Sequence, residues 1–154
     1  MTSDEALRSE HLATATRALA AISRLDIPAA LAETHPDLVV ELPFEKAVAP
    51  MDRDRFGGLL TGLAQNFQRF TMEIVEVIPA LDPATLVIRY DGDCLSNDGS
   101  VTYRNNYLAI MAFTDGLISH WREYDNPVIS RRMNERLAAV GPSAVGPSAV
   151  GRQP

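Results

Sequence analysis

The sequence predicts an α+β domain in which helices come first and an antiparallel sheet follows. Two observations carry this prediction. Apolar residues recur at helical spacing over most of the chain up to Phe67, and from Phe70 onward the apolar period changes to two. Short turn signals separate the later segments, so consecutive strands should pair as a meander.

Three helices and one strand are predicted before the change of period. A capping box at Thr2-Ser3-Asp4-Glu5 begins the first helix, Asp26-Ile27-Pro28 begins a short second helix, and Asp52 caps the third. The predicted helices cover about residues 2–24, 26–32 and 52–67, and the strand covers 38–44.

Four strands and a last helix are predicted after it. The strands lie near residues 71–78, 85–94, 101–113 and 117–124, and turns containing Asn97-Asp98-Gly99 and Asp115-Gly116 join the later ones. Asn126-Pro127 opens a helix that should end near Gly141. Residues 141–154 repeat Val-Gly-Pro-Ser-Ala and predict a flexible tail, which leaves one domain over residues 1–140.

Composition excludes several classes of function. The net charge is -6, and no cluster of lysine and arginine predicts a nucleic-acid partner. No apolar run is long enough to span a bilayer, so we expect a cytoplasmic protein without a membrane partner. One cysteine and three scattered histidines have no metal-ligand spacing, so we expect no metal.

The last predicted strand carries the strongest candidate for catalysis. Strict alternation places Leu117, Ser119, Trp121 and Glu123 on one face and Ile118, His120, Arg122 and Tyr124 on the other. Glu123 therefore has Trp121 and Asp125 as neighbours two residues away. A carboxyl group among aromatic side chains is a group whose pKa can be tuned for acid/base chemistry.

A second polar face is predicted on the strand from residue 85 to 94. Arg89, Asp91 and Asp93 alternate with apolar residues, so this face lines either a pocket or the surface. In a pocket, Arg89 would lower the pKa of the nearest carboxyl group, whereas apolar walls would raise that of Glu123. On a surface, Arg89 and Asp91 would form an ordinary cross-strand ion pair.

The order of elements and two motifs resemble a known family. Tyr103-x-Asn105-x-Tyr107 lies in one strand, and Asp115-Gly-Leu-Ile precedes Arg122-Glu123-Tyr124-x-Asn126-Pro127. This pattern resembles the SnoaL-like group of the nuclear transport factor 2 and ketosteroid isomerase superfamily, and within it most closely the phenazine biosynthesis A/B type. The resemblance implies a cone-shaped fold, cystatin-like or ketosteroid isomerase-like, in which a curved, mixed or antiparallel sheet wraps around the N-terminal helices.

The resemblance also implies roles for individual residues. Glu123 occupies the position of the acid/base glutamate of the phenazine type. Arg89 and Asp91 together with Glu123 match the spacing of the arginine and two carboxylates of limonene epoxide hydrolases. Those enzymes hold their water with a tyrosine and an asparagine, where this chain has Val39 and Glu41.

We therefore expect a cofactor-independent enzyme that moves a proton on a small, largely apolar secondary metabolite, as isomerases, cyclases and dehydratases do. Glu123 would act with Asp91 and Arg89 as catalytic residues. The residues expected to contact substrate are Glu41, Trp121, Tyr103, Asn105 and Tyr107. The alternatives are a non-catalytic small-molecule-binding or dimeric assembly module and an epoxide hydrolase, and a homodimer is expected in each case.

Overall fold

The computed structural model describes residues 1–140, and the predicted tail over 141–154 lies outside the described residues. The elements follow one another as α1 Ser3–Ser23, α2 Ile27–Ala32, β1 Thr34–Glu41, α3 Arg53–Asn66, β2 Phe67–Pro79, β3 Thr85–Ser96, β4 Thr102–Thr114, β5 Leu117–Asp125 and α4 Pro127–Val140. This is the predicted α+β class with the predicted order of helices and strands.

The five strands form one curved, open sheet in the order β1-β5-β4-β3-β2. Strands β2 to β5 pair as the predicted antiparallel meander. Strand β1 pairs with β5 in parallel, which makes the sheet mixed. The last strand of the meander is therefore flanked on both sides, by β4 and by β1.

Two strands begin several residues before their predicted starts, and β1 also ends at Glu41 instead of residue 44. Strand β1 begins at Thr34 although Pro36 lacks an amide hydrogen, because β1 is an edge strand where proline is tolerated. Strand β2 begins at Phe67, directly after α3. Phe67 fits both periods, since it continues the apolar stripe of α3 and also begins the alternation of β2.

The core lies between the concave face of the sheet and the helices. Alternate residues of β3 and β4 point inward, including Ile88, Tyr90, Ala109 and Met111, each of which is at most 1 % exposed. The helices contribute a second apolar layer from α1 and α3, made of Ala15, Ala18, Leu19, Ile22, Phe56 and Leu60. No helix within residues 1–140 is both long and apolar enough to cross a membrane.

Hydrogen bonds of the Asn105 side chain connect the start of α4 to the sheet. Its side chain is buried on β4, and its Oδ1 accepts the backbone N–H of Asn126 at 3.2 Å. Its Nδ2 donates to the Oγ of Ser130 at 3.2 Å and to the hydroxyl of Tyr103 at 2.7 Å. One buried amide therefore satisfies groups at the start of α4 and on β4 at once.

Replacing Asn105 by alanine should lower the free energy of unfolding by about 2 to 3 kcal/mol, because several buried polar groups lose their partner together. Asn106→Ala is the matched control: its side chain lies on the exposed face and donates to Asp91 at 2.7 Å. That change should alter stability by no more than about 0.5 kcal/mol. Urea unfolding followed by circular dichroism measures both, and equal losses would contradict the anchoring role of Asn105.

Candidate active site

A cavity of about 210 Å³ opens between the concave face of the sheet and helices α1, α3 and α4. Its wall is mainly apolar, with Leu19, Ile22, Val40, Leu42, Ala47, Val48, Phe56, Leu59, Leu60, Leu63, Phe70, Met72 and Met133. Most of the polar groups gather on the sheet side and at the start of α4, and these are Tyr90, Tyr103, Tyr107, Trp121, Glu123, Asp125 and Ser130, while Glu45 and Asn134 also line the cavity. A pocket with few, convergent polar groups in an apolar wall is the usual form of a small-molecule site.

A bulge in β5 decides which side chains enter this cavity. Phe113 of β4 pairs with Ile118, but Ala112 pairs with His120, so Ser119 is an extra residue between them. Ile118 and Trp121 are consequently both buried on the concave face, followed by Glu123 and Asp125 at the cavity wall. The predicted grouping of Ser119 with Trp121, and of Ile118 with His120, is wrong because strict alternation does not survive the bulge.

The surroundings of Glu123 in the cavity bring the pKa of its carboxyl group close to neutral pH. Burial raises the pKa of its carboxyl group to about 7, and a hydrogen bond from Tyr90 opposes this rise. The nearby negative charge of Asp125 also raises the pKa, whereas the indole of Trp121 lowers it. The carboxyl group therefore exists in both protonation states near neutral pH, which suits an acid/base catalyst.

Tyr90 holds the carboxyl group of Glu123 in place. Its phenol donates a hydrogen bond to Oε2 of Glu123, and its ring stacks on that of Tyr107 with centroids 5.1 Å apart. Burial, followed by the charge of Glu123, raises the pKa of Tyr90 well above its ordinary value, so the phenol keeps its proton. Tyr90 was not among the predicted site residues, because alternation placed it only on the apolar face opposite Arg89 and did not identify that face as the inner one.

Asp125 is the second acidic side chain on the polar side of the cavity. Its Oδ2 accepts hydrogen bonds from the Ser130 hydroxyl and, at 3.4 Å, from Nδ2 of Asn105. Sequence reasoning did not select Asp125 as a site residue. The signal was present, because Asp125 lies two residues after Glu123 and therefore on the same strand face.

The predicted substrate-contacting aromatics all line the cavity. Tyr103 and Tyr107 project from β4, and their hydroxyls lie 2.8 Å apart. Burial raises the pKa of both phenols, so both remain neutral hydrogen-bond donors. Asn105 lies behind them and bonds to Tyr103 without itself lining the cavity.

Trp121 brings a buried hydrogen-bond donor to the same place. Its Nε1 has no acceptor within hydrogen-bond geometry among the described residues. Yet the indole N–H lies close enough to Glu123 and Tyr90 to lower the pKa of each, after the larger effects of burial. An orphaned N–H beside a carboxyl group adds positive potential where a negative charge would form.

Arg89 and Asp91 do not meet Glu123. Both side chains point to the convex face of the sheet, where Arg89 forms an ion pair with Glu76 at 2.5 Å and Asp91 accepts from Asn106 at 2.7 Å. The intervening Tyr90 points into the cavity. The surface interpretation of this polar face is therefore the one that the geometry supports, and the expected catalytic grouping of these two residues with Glu123 has to be corrected.

Glu41 is also separated from the cavity. It lies on the convex face and accepts hydrogen bonds from His120 Nε2 at 2.7 Å and from Arg122 Nε at 2.9 Å, across the parallel pair of β1 and β5. Hydrogen bonds from Arg122 and then from His120 lower the pKa of Glu41. With Arg89, Asp91 and Glu41 all outside, the arginine and paired carboxylates of an epoxide hydrolase are not assembled around Glu123.

Within residues 1–140, no three cysteine, histidine, aspartate or glutamate side chains are grouped so that they could hold a metal ion.

Comparison with solved structures places this architecture among known folds. PrhC from Penicillium brasilianum is 19 % identical, with a TM-score of 0.81 over 93 % of this chain and 97 % of that one. BvnE pinacolase from Penicillium brevicompactum is 18 % identical, with a TM-score of 0.76 over 87 % and 98 % of the two chains. At these identities the likeness shows a common fold.

A phenazine biosynthesis-related protein from Pseudomonas aeruginosa also shares the fold, at 18 % identity and a TM-score of 0.71 over 86 % of this chain and 85 % of that one. None of the curated proteins gives a significant match to the sequence. The model of the SnoaL-like domain matches residues 15–121, which include the sheet from β1 as far as Trp121. The chain therefore belongs to the SnoaL-like domain family, within the nuclear transport factor 2-like superfamily.

Proposed function

We propose that this protein is an acid/base catalyst that removes and returns a proton on a small, largely apolar metabolite. The observation that carries the proposal is the carboxyl group of Glu123, which lies in an apolar cavity with a pKa of about 7. A catalytic base works best when its pKa is near the working pH, because it is then both available and strong enough. General acid/base catalysis contributes about 10² to 10⁴ in rate.

The proposed step begins with the carboxylate of Glu123 taking a proton from a carbon next to a carbonyl group. The C–H electrons move to the carbonyl oxygen and form an enolate, while Glu123 becomes a neutral acid. It then returns the proton to the same carbon or to another atom. Isomerisation, cyclisation and dehydration share this step, so the proposal covers all three.

The cavity supplies neutral donors for the enolate oxygen. Tyr103 receives a hydrogen bond from Asn105, and it can donate its own hydrogen to Tyr107 across 2.8 Å. The hydrogen of Tyr107 then remains for a ligand in the cavity. Donors that are fixed before the reaction stabilise a developing negative charge without the cost of reorganising solvent.

Asp125 replaces Asp91 and Glu41 as the proposed partner of Glu123. It shares the cavity wall, and its negative charge raises the proton affinity of Glu123. Ser130 and Asn105 hold its carboxylate in one orientation. Two carboxyl groups with different surroundings can divide the acid and base roles of one reaction.

The related structures support chemistry on secondary metabolites. One of them is described as a pinacolase and another as a phenazine biosynthesis-related protein. We propose in addition that the protein is functionally related to the phenazine A/B type, and the support for this is that its Tyr103-x-Asn105-x-Tyr107 and Arg122-Glu123-Tyr124 segments resemble the pattern of that type.

The test replaces Glu123 by glutamine, which keeps the shape and removes the base. Proton NMR in D₂O follows the exchange of the acidic C–H protons of 2-tetralone, an apolar ketone of suitable size. The wild type should catalyse exchange with a rate that rises through an apparent pKa near 7, since only ionised Glu123 accepts a proton. Glu123→Gln should lower the catalysed rate by about 10² to 10⁴.

Glu73→Gln serves as the matched control, because it makes the same chemical change at an exposed position on the convex face of β2. Exchange by this variant should equal that of the wild type. If wild type and Glu123→Gln both bind 2-tetralone without catalysing exchange, the protein is the non-catalytic binding module, and the proposed proton transfer is excluded for ketones of this kind.

We also propose that the protein is a homodimer that associates through the convex face of the sheet. Ile78 of β2 is 39 % exposed and pairs with Val87 on this face, and the ion pair of Arg89 with Glu76 lies beside it. Exposed apolar side chains bordered by charged groups are common at protein interfaces. Light scattering at micromolar concentration should give twice the mass of one chain, and a monomer would contradict the proposal.

A further inference from the structure

The ionisable side chains at the cavity wall are all acids or phenols. Its carboxyl groups are those of Glu45, Glu123 and Asp125. Within residues 1–140, no lysine, arginine or histidine lines the cavity. A ligand that entered with a negative charge would therefore lose its water without gaining a cationic partner, and would lie beside like charges.

Three nearby arginines already have partners outside the cavity. Arg122 neighbours Glu123 in sequence, but it points to the convex face and pairs with Glu41 at 2.9 Å. Arg89 pairs with Glu76 on the same convex face. Arg53, at the start of α3, donates to the Leu31 carbonyl and to the Thr34 hydroxyl. Bringing any of these guanidinium groups to the cavity would break contacts that it already makes.

We propose that the cavity selects an uncharged ligand that carries one hydrogen-bonding oxygen at the edge of an apolar body, and that it excludes carboxylates and phosphates. This inference rests on the proposed function in taking the Glu123 cavity as the substrate site.

The two sides of the cavity define the orientation of such a ligand. The edge oxygen would face Glu123, Tyr107 and Trp121 on the sheet, where donors and the carboxyl group lie together. The apolar body would face the leucines of α3 and Met72 of β2. An apolar cavity of about 150 Å³ holds benzene, so a cavity of about 210 Å³ has room for a bicyclic molecule.

A positive charge is also disfavoured, although less strongly. Below pH 7 Glu123 is mainly neutral, and the Asp125 carboxylate is already engaged by Ser130 and Asn105. A cation would then have to give up its hydration for a mainly apolar wall. Above pH 7 the ionised Glu123 should improve the binding of cations and weaken that of anions.

The experiment uses three ligands with one ring system and different charges: 2-naphthol, 2-naphthoate and 2-naphthylmethylammonium. Calorimetry at pH 6 and pH 8 gives their dissociation constants for the whole protein. At pH 8, 2-naphthol should bind at least about 100-fold more tightly than 2-naphthoate, because a buried unpaired charge is costly. It should also bind more tightly than the ammonium ligand at pH 6.

Glu123→Gln tests the origin of this discrimination. In the wild type, 2-naphthoate should bind about tenfold more tightly at pH 6 than at pH 8, because Glu123 becomes neutral. The glutamine variant should lose this pH dependence, and the Glu73→Gln control should keep it. These readouts measure binding alone, so they stand even if the ketone exchange assay shows no catalysis.

Three results would overturn the inference. The first is 2-naphthoate binding as tightly as 2-naphthol. The second is the ammonium ligand binding most tightly of the three at both pH values, which would assign the cavity to cations. The third is the absence of 2-naphthol binding up to millimolar concentration. Loss of exchange in Glu123→Gln together with tight binding of 2-naphthoate would contradict this inference while leaving the proposed catalysis intact.

Discussion

The site depends on the pKa of the Glu123 carboxyl group, which is set by two opposing effects. Removal from water makes its ionisation costly, while the hydrogen bond from Tyr90 favours the ionised form. Burial is the larger effect, so the pKa rises to about 7 instead of falling below its ordinary value of 4.5. The remaining accessible surface of Glu123 lies at the cavity wall, where a ligand could meet it. An exposed glutamate on the same strand would be a plain surface charge.

The bulge at Ser119 and the hydrogen bonds of Asn105 to the start of α4 place the acidic side chains in the cavity. By adding one residue to β5, the bulge brings both Ile118 and Trp121 to the concave face, and the residues after it continue inward to Glu123. Asn105 then holds the start of α4 against β4, so that Ser130 reaches Asp125. Backbone irregularity and one buried amide thus determine which acids share the cavity.

Most of the fold could be predicted from the sequence, because the spacing of apolar residues within each segment indicates whether it forms a helix or a strand. The change from helical spacing to alternation, together with the Asp115-Gly116 turn, predicted the order of elements and the meander. The residues of the site could be predicted only in part. Alternation divides the side chains of β3 between two faces without showing which face is concave. Arg89 and Asp91 could therefore be assigned to a pocket, although in the structure it is Tyr90 that lines the cavity. The Ser119 bulge and the partners of Glu41 depend on contacts between strands, which no single segment encodes.

The central claim is that folding places Glu123 where ionisation is unfavourable, and the pH dependence of stability tests it most directly. A carboxyl group whose pKa is raised on folding contributes stability below pH 4.5 that is lost as the pH rises through 7. The free energy of unfolding of the wild type, measured against that of Glu123→Gln by urea titration from pH 4.5 to 8.5, should therefore fall by about 3 kcal/mol across this range. A difference between the two proteins that stays constant with pH would show that Glu123 ionises as freely in the folded chain as in water, and would contradict the account.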